Sequence, residues 1–187
     1  FAYRKFDRRV PDPGTLDEAD REIIARAEAV FEPVADLLNG CKFKAAISQV
    51  MTLAHEANRY LDRAAPWLHI RENPERAATA TYVALRVIDS LKILLYPFLP
   101  FSSQKLHTML GYEGNLLGDQ YVDSFDETTR SHTALRYRSY LTGDMWTPSN
   151  LPPGQKLNEP KALFKKLNAE IVEGEVARMK SQGVTQA

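Results

Sequence analysis

Apolar residues recur at spacings of three and four through most of residues 1–110, and strict alternation is nearly absent. The clearest stripe is Phe43, Ile47, Val50, Ala54, Ala57 and Leu61, which predicts a helix over 42–64. Ile23, Ala27, Val30, Val34, Leu37 and Leu38 predict another over 15–38, with Thr15 and Glu18 at capping-box spacing and Asn39-Gly40 as its stop. A third, over 74–96, opens on Asn73 and Pro74 and becomes apolar on most sides toward its end, which places it at the centre. Pro97 and Pro100 break it, Ser102 caps a short helix through 110, and Phe98, Leu99 and Phe101 are expected in the core. Residues 1–6 read as the last turns of a helix.

Between 111 and 158 the periodicity fades and the strand signal is negligible. This stretch is expected as an irregular linker lying on the helices. Glu159-Pro160 then opens a last helix over 161–180, whose Leu163, Phe164, Leu167, Ile171 and Val176 form a partial stripe that should pack against a neighbour. The predicted fold class is all-α: a helical bundle over 1–110, an irregular linker over 111–158, and a C-terminal helix and tail over 159–187.

The two longest apolar segments meet at Ala65-Pro66-Trp67. Pro66 should hold Ala65 in extended geometry and stop the helix there, leaving Trp67 on a rigid corner. A flat side chain so placed either fills the core or offers a stacking surface to a partner, and the usual burial of Trp favours the core.

Composition narrows the chemistry. With 24 basic and 24 acidic residues in 187, no global field attracts a polyanion, so a nucleic acid would have to be met by a local patch and by shape. The lone Cys41 excludes an internal disulfide and any multi-cysteine zinc site, and it fits a reducing compartment such as the cytoplasm. No run approaches the roughly 18 apolar residues of a membrane-spanning helix. His55, His69, His107 and His132 lack zinc-ligand spacing, and neither a Gly-rich phosphate loop nor a nucleophile elbow is present. Lys165-Lys166 and Arg136-Tyr137-Arg138 read as solvated faces. No catalytic residue, metal site or cofactor is expected in the chain, which reads as a binding module.

Ala57-Asn58-Arg59-Tyr60-Leu61 through Ala65-Pro66-Trp67, followed by Leu94 to Ser102 with its Pro-x-x-Pro break, resembles the anticodon-binding domain of methionyl-tRNA synthetases. Tyr3-Arg4-Lys5-Phe6, Leu151-Pro152-Pro153-Gly154 and Pro160-Lys161-Ala162-Leu163-Phe164-Lys165-Lys166 extend the resemblance over nearly the whole chain. Valyl-, isoleucyl- and leucyl-tRNA synthetases share the Ala-Pro-Trp and proline-break elements, and the later motifs point to the methionine enzyme. The resemblance implies a helical bundle that docks on the anticodon stem-loop of methionine tRNA and reads its CAU triplet, in a ligase whose ATP and catalytic residues lie in a separate catalytic domain. It implies that Trp67 stacks on the first anticodon base and that Pro66 stiffens the platform. Asn58 would help shape the pocket, with Arg59 and Arg63 on loop phosphates. The family's Asn and Arg readers on the first helix of the domain fall before Phe1, so the chain should neither activate methionine nor charge tRNA by itself. The reading from a different class is a free-standing helical module that binds another protein.

Overall fold

The computed structural model describes residues 1–116, 118–138, 146–164 and 168–183. Its elements are helices α1 (Ala2–Lys5), α2 (Glu18–Ala29), α3 (Phe31–Asn39), α4 (Phe43–Ala64), α5 (Pro66–His69), α6 (Pro74–Leu95) and α7 (Pro100–Met109), strands β1 (Asp119–Asp126) and β2 (Ser131–Arg138), and helix α8 (Ala169–Gly183). Helices α2, α3, α4 and α6 enclose the main core, in which Val34, Val50, Leu53, Val83 and Leu94 are fully buried. Expected helix 15–38 is two helices. Pro33, the third residue of α3, has no N–H to offer the Ala29 carbonyl and its ring crowds that group, so the chain turns at Val30.

Helix α4 buries Ala46, Val50, Leu53, Ala57 and Tyr60, a seam at strict spacings of four and three. The expected stripe lay along one border of this seam: Ile47, Ala54 and Leu61 are partly buried, and Phe43 is exposed. Tyr60 belongs to the seam because its polar tip finds a buried partner. The capping box of α2 is likewise not Thr15 and Glu18. Asp17 accepts from the Asp20 N–H at 2.9 Å, and Asp20 accepts from the Asp17 N–H at 3.0 Å. Phe98 packs against the core as expected, but Leu99 and Phe101 do not. Helix α7 starts at Pro100, with Leu99 and not Ser102 at its cap, and leaves Phe101 81 % exposed.

The stretch 111–158 is not wholly irregular, and the all-α reading needs that correction. Strands β1 and β2 form an antiparallel hairpin pairing Asp119 with Arg138 and Asp126 with Ser131. Tyr121, Val122 and Leu135 are exposed, so no buried face imposed a period-two pattern. Cross-strand pairs hold it instead: the Arg136 guanidinium lies 4.9 Å from the Phe125 ring, Arg138 lies 5.1 Å from Tyr121, and Phe125 stacks on His132. The rest of the stretch is tied to the helices. Trp146 donates to the Phe31 carbonyl at 2.9 Å, and Ser149 donates to the buried Asp89 carboxylate at 2.6 Å. Residues 151–158 run back past the N-terminal segment, with Val10 donating to the Gln155 carbonyl and Leu157 to that of Arg8. Gly111 (φ +88°) must be glycine, because a Cβ there would overlap the Lys156 carbonyl oxygen.

The C-terminal helix begins at Ala169, not 161, with Asn168 accepting from the Ile171 N–H. Phe164, Ile171, Val172, Val176 and Met179 are exposed, so the expected packing of this stripe is not met among the described residues. Tyr140, Lys165, Lys166 and Leu167 lie outside them.

A second buried charge cluster lies where α6 meets α7. Asp89 binds Lys92 at 2.6 Å and accepts from the Tyr112 hydroxyl at 3.0 Å. Lys92 sits 4.0 Å from the centre of the Tyr112 ring, and His107 stacks on the same ring at 4.7 Å. His107 is buried and its Nδ1 has no hydrogen-bond partner among the described residues. Burial first, and the Lys92 charge second, hold its pKa below the ordinary 6.5. The folded chain thus keeps His107 neutral while the unfolded chain protonates it. The stability this contributes is complete above pH 6.5 and is lost as pH falls toward the lowered folded value. Thermal unfolding should therefore shift downward between about pH 7 and 5. His107→Gln should flatten that slope, as followed by circular dichroism; an unchanged slope would assign it to other groups.

Candidate nucleic-acid interface

The corner after α4 is built by a backbone reversal. Ala65 takes φ +35° and ψ 54°, donates to the Leu61 carbonyl at 2.8 Å and closes the helix in the left-handed region. Extended geometry was expected there. Pro66 disfavours the right-handed helical region for its predecessor, and the chain has met that restriction from the other side. Pro66 then occupies the first position of α5, where its missing N–H costs nothing, and is buried. Trp67 therefore sits on a single helical turn and not in a loop. Asn73 donates to the His69 carbonyl at 2.8 Å and its side chain caps α6, so both ends of the turn are fixed. The indole is 47 % exposed and its neighbour Leu68 is exposed as well. Trp67 is therefore not a core filler, and its outer face is open to solvent.

A groove of about 310 Å³ opens beside the indole, walled by Tyr3, Leu61, Pro66, Leu85, Met109 and others. Its lining residues include no Lys, Arg, Asp or Glu. The second wall, Phe1 to Tyr3, is held by the backbone pairing of residues 8–10 with 154–157.

The five residues expected at the site are not all brought together. Pro66 and Trp67 share the groove with Leu61. Asn58, one turn before Leu61, lies on the same side of α4, is exposed, and its side chain makes no hydrogen bond among the described residues. Arg59 and Arg63 flank Leu61 by two residues, which turns them about 200° around the helix. They line a separate cleft with Glu22, Arg26 and Glu56 on the α2 side. Glu56 is paired with Arg26 at 3.1 Å, so neither Arg59 nor Arg63 has an ion-pair partner among the described residues. Arg63 makes only a long bond to the Arg59 carbonyl, at 3.4 Å.

The sequence reading missed what fastens this corner. Asp20, completely buried, receives the Tyr60 hydroxyl at 2.6 Å on Oδ1 and the Arg76 guanidinium on both oxygens, at 2.9 and 2.7 Å. Arg76 also reaches Asp17 at 3.0 Å. Burial alone would raise the Asp20 pKa, but the bonds from Arg76 and Tyr60 outweigh it and hold the carboxyl below its ordinary value. The Tyr60 phenol is pushed well up, by burial first and then by Asp20. One signal was available: Asp20, Ile23 and Ala27 share a stripe at spacings of three and four, so a carboxylate occupies an apolar position.

The fold is a helical bundle with a short hairpin, and it carries an exposed aromatic residue on the turn between its two longest helices. Residues 10–183 match the family described as the anticodon binding domain of methionyl tRNA ligase, and the chain belongs to that family. It is 45 % identical over 180 residues to a methionine–tRNA ligase of Roseiflexus sp. (strain RS-1), covering 96 % of this chain and 30 % of that protein. A methionine–tRNA ligase of Thermomicrobium roseum is 44 % identical over 184 residues, covering 97 % and 31 %. The chain thus spans about 30 % of the length of these relatives. The fold is similar to that of the free Mycobacterium tuberculosis methionyl-tRNA synthetase, at a TM-score of 0.70 and 23 % identity over 89 % of this chain and 29 % of that one. These matches favour neither the free-standing interaction module nor the valyl, isoleucyl or leucyl enzymes.

The half-exposed indole has a consequence for stability. A buried Trp cut to Ala costs about 3–5 kcal/mol, but Trp67→Ala should cost about 1 kcal/mol or less because its outer face is already in water. Leu53→Ala, at a fully buried position, should cost about 2–5 kcal/mol. Urea unfolding of the two variants side by side checks this, and equal losses would place the indole in the core.

Proposed function

We propose that the chain is the anticodon-reading part of a cytoplasmic methionine–tRNA ligase, which makes methionyl-tRNA from methionine, ATP and tRNA. The partner is the anticodon stem-loop of methionine tRNA. The observation that carries the reading is the exposed Trp67 indole on a turn fixed at both ends, beside an uncharged groove. Single-stranded loops are read by splayed bases stacked on aromatic side chains, and such a surface suits a base and not a phosphate. Trp67 stacks on the first anticodon base and the buried Pro66 stiffens the turn. Asn58 offers an amide to a base edge from the same side of α4. Arg59 and Arg63, facing the α2 side without ion-pair partners among the described residues, take phosphates where the loop passes around the helix end. Catalysis, ATP and the catalytic residues belong to the remainder of the ligase, and this chain holds none of them.

In the full-length ligase, Trp67→Ala should remove a stack worth about 1–3 kcal/mol, which is roughly a ten- to hundredfold loss in kcat/KM for tRNA. Methionine activation without tRNA should stay near wild type. Arg59→Ala and Arg63→Ala should each weaken RNA binding and lower the salt slope by about one. Normal charging of tRNA by Trp67→Ala would end the stacking reading.

A further inference from the structure

Asp20 joins three helices around the Trp67 corner. Tyr60 lies five residues before Ala65 near the end of α4, Arg76 lies seven after His69 in the first turn of α6, and both converge on the two oxygens of one α2 carboxylate. The corner between them is therefore bracketed on both flanks. Within the bracket its own bonds are short-range: Ala65 to Leu61, Leu68 to Ala65, and Asn73 to His69. These fix the shape of the turn but not its tilt against the bundle, which follows from the splay of α4 against α6.

We propose that Asp20, Tyr60 and Arg76 are positioning residues for RNA, setting the angle at which α5 presents the Trp67 indole. This rests on the proposed anticodon reading. None of the three needs to touch RNA for the effect. Tyr60 is 3 % exposed and Asp20 is completely buried, so neither is open to a ligand. The apolar seam of α4 could keep the helices associated without the cluster, but greasy contacts tolerate small sliding. A two-oxygen acceptor filled by a planar fork and a phenol tolerates far less.

The test is a double-mutant cycle in the full-length ligase, reading affinity for a methionine-tRNA anticodon stem-loop by fluorescence anisotropy while all variants remain folded by circular dichroism. Tyr60→Phe keeps the ring in the core and removes only the bond to Asp20. It should weaken binding by about three- to tenfold, within the range for residues coupled in one network. In a Trp67→Ala background the same change should have no further effect, because the group being positioned is gone. Arg76→Lys, which keeps the charge and cannot bridge both oxygens, should behave in the same way and serves as a second probe if Tyr60→Phe folds poorly. A merely structural role predicts losses that persist without Trp67. Additive losses, or normal binding by Tyr60→Phe and Arg76→Lys while Trp67→Ala binds weakly, would overturn the positioning role. Normal binding by Trp67→Ala would overturn the anticodon reading itself, and the inference with it.

Discussion

A single carboxylate with no solvent exposure organises this domain. Burying the Asp20 charge is costly unless its partners are complete, and here both oxygens are filled by Arg76, Tyr60 and the Asp17 amide. Such a cluster adds less to stability than its bonds suggest, since desolvation offsets much of the gain. Its contribution is geometric. Three helices meeting on Val50, Leu53 and Val83 have several acceptable offsets, and only one brings a guanidinium fork and a phenol onto the same two oxygens. The turn that carries the exposed Trp67 hangs from that junction.

Asp89 plays a comparable part farther along α6, under different constraints. Its partners Lys92, Tyr112 and Ser149 come from the same helix, from the turn after α7, and from the chain following the hairpin. The chain after Ser149 is thereby fastened where it can pair with residues 8–10, and that pairing holds Phe1 to Tyr3 as the far wall of the groove. A wall of the candidate site thus depends on a buried ion pair within α6, which Tyr112 joins from the turn after α7. Gly111 lets the chain leave α7 under the Lys156 carbonyl without a clash.

What the sequence disclosed follows from which forces leave a pattern. Helices α4 and α6 were legible because burial on one side imposes a period, and the Pro74 start was legible because proline has few places to go, whereas Pro66 read as a stop before a loop and not as the first residue of α5. The phase of the α4 stripe was misjudged through Tyr60, whose hydroxyl disguises a core residue until its acceptor is known. Pro33 was passed over although it breaks the expected helix by a local rule. The hairpin left almost no trace, since its strands bury no face and its four-residue connection lacks a glycine. Its stabilising pairs, such as Arg136 over Phe125, join residues eleven apart and are visible only once the register is known. At the site, the Ala-Pro-Trp corner was legible from the motif, and the exposure of Trp67 was not. The placement of Arg59 and Arg63 on the opposite side of α4 needed the three-dimensional phase of the helix relative to Leu61.

That division of α4 restricts the shape of any RNA it meets. The groove beside the indole is lined by no charged side chain, while Arg59 and Arg63 lie about 200° around α4 from Leu61 in its wall. A straight duplex presents phosphates along its length and hides its bases, so it suits the arginines and not the indole. A strand that satisfies both must splay a base against Trp67 and then bend sharply around the end of α4, which hairpin loops do and regular helices do not. The left-handed Ala65 is what makes the end of α4 abrupt enough for this. A non-glycine residue in that region carries strain of order 1–3 kcal/mol, and it persists because the buried Pro66 and the capped start of α6 fix the chain on the far side. On the proposed reading, the strained corner and the split between apolar and charged surfaces serve one end: they select a turned single strand before any base is identified.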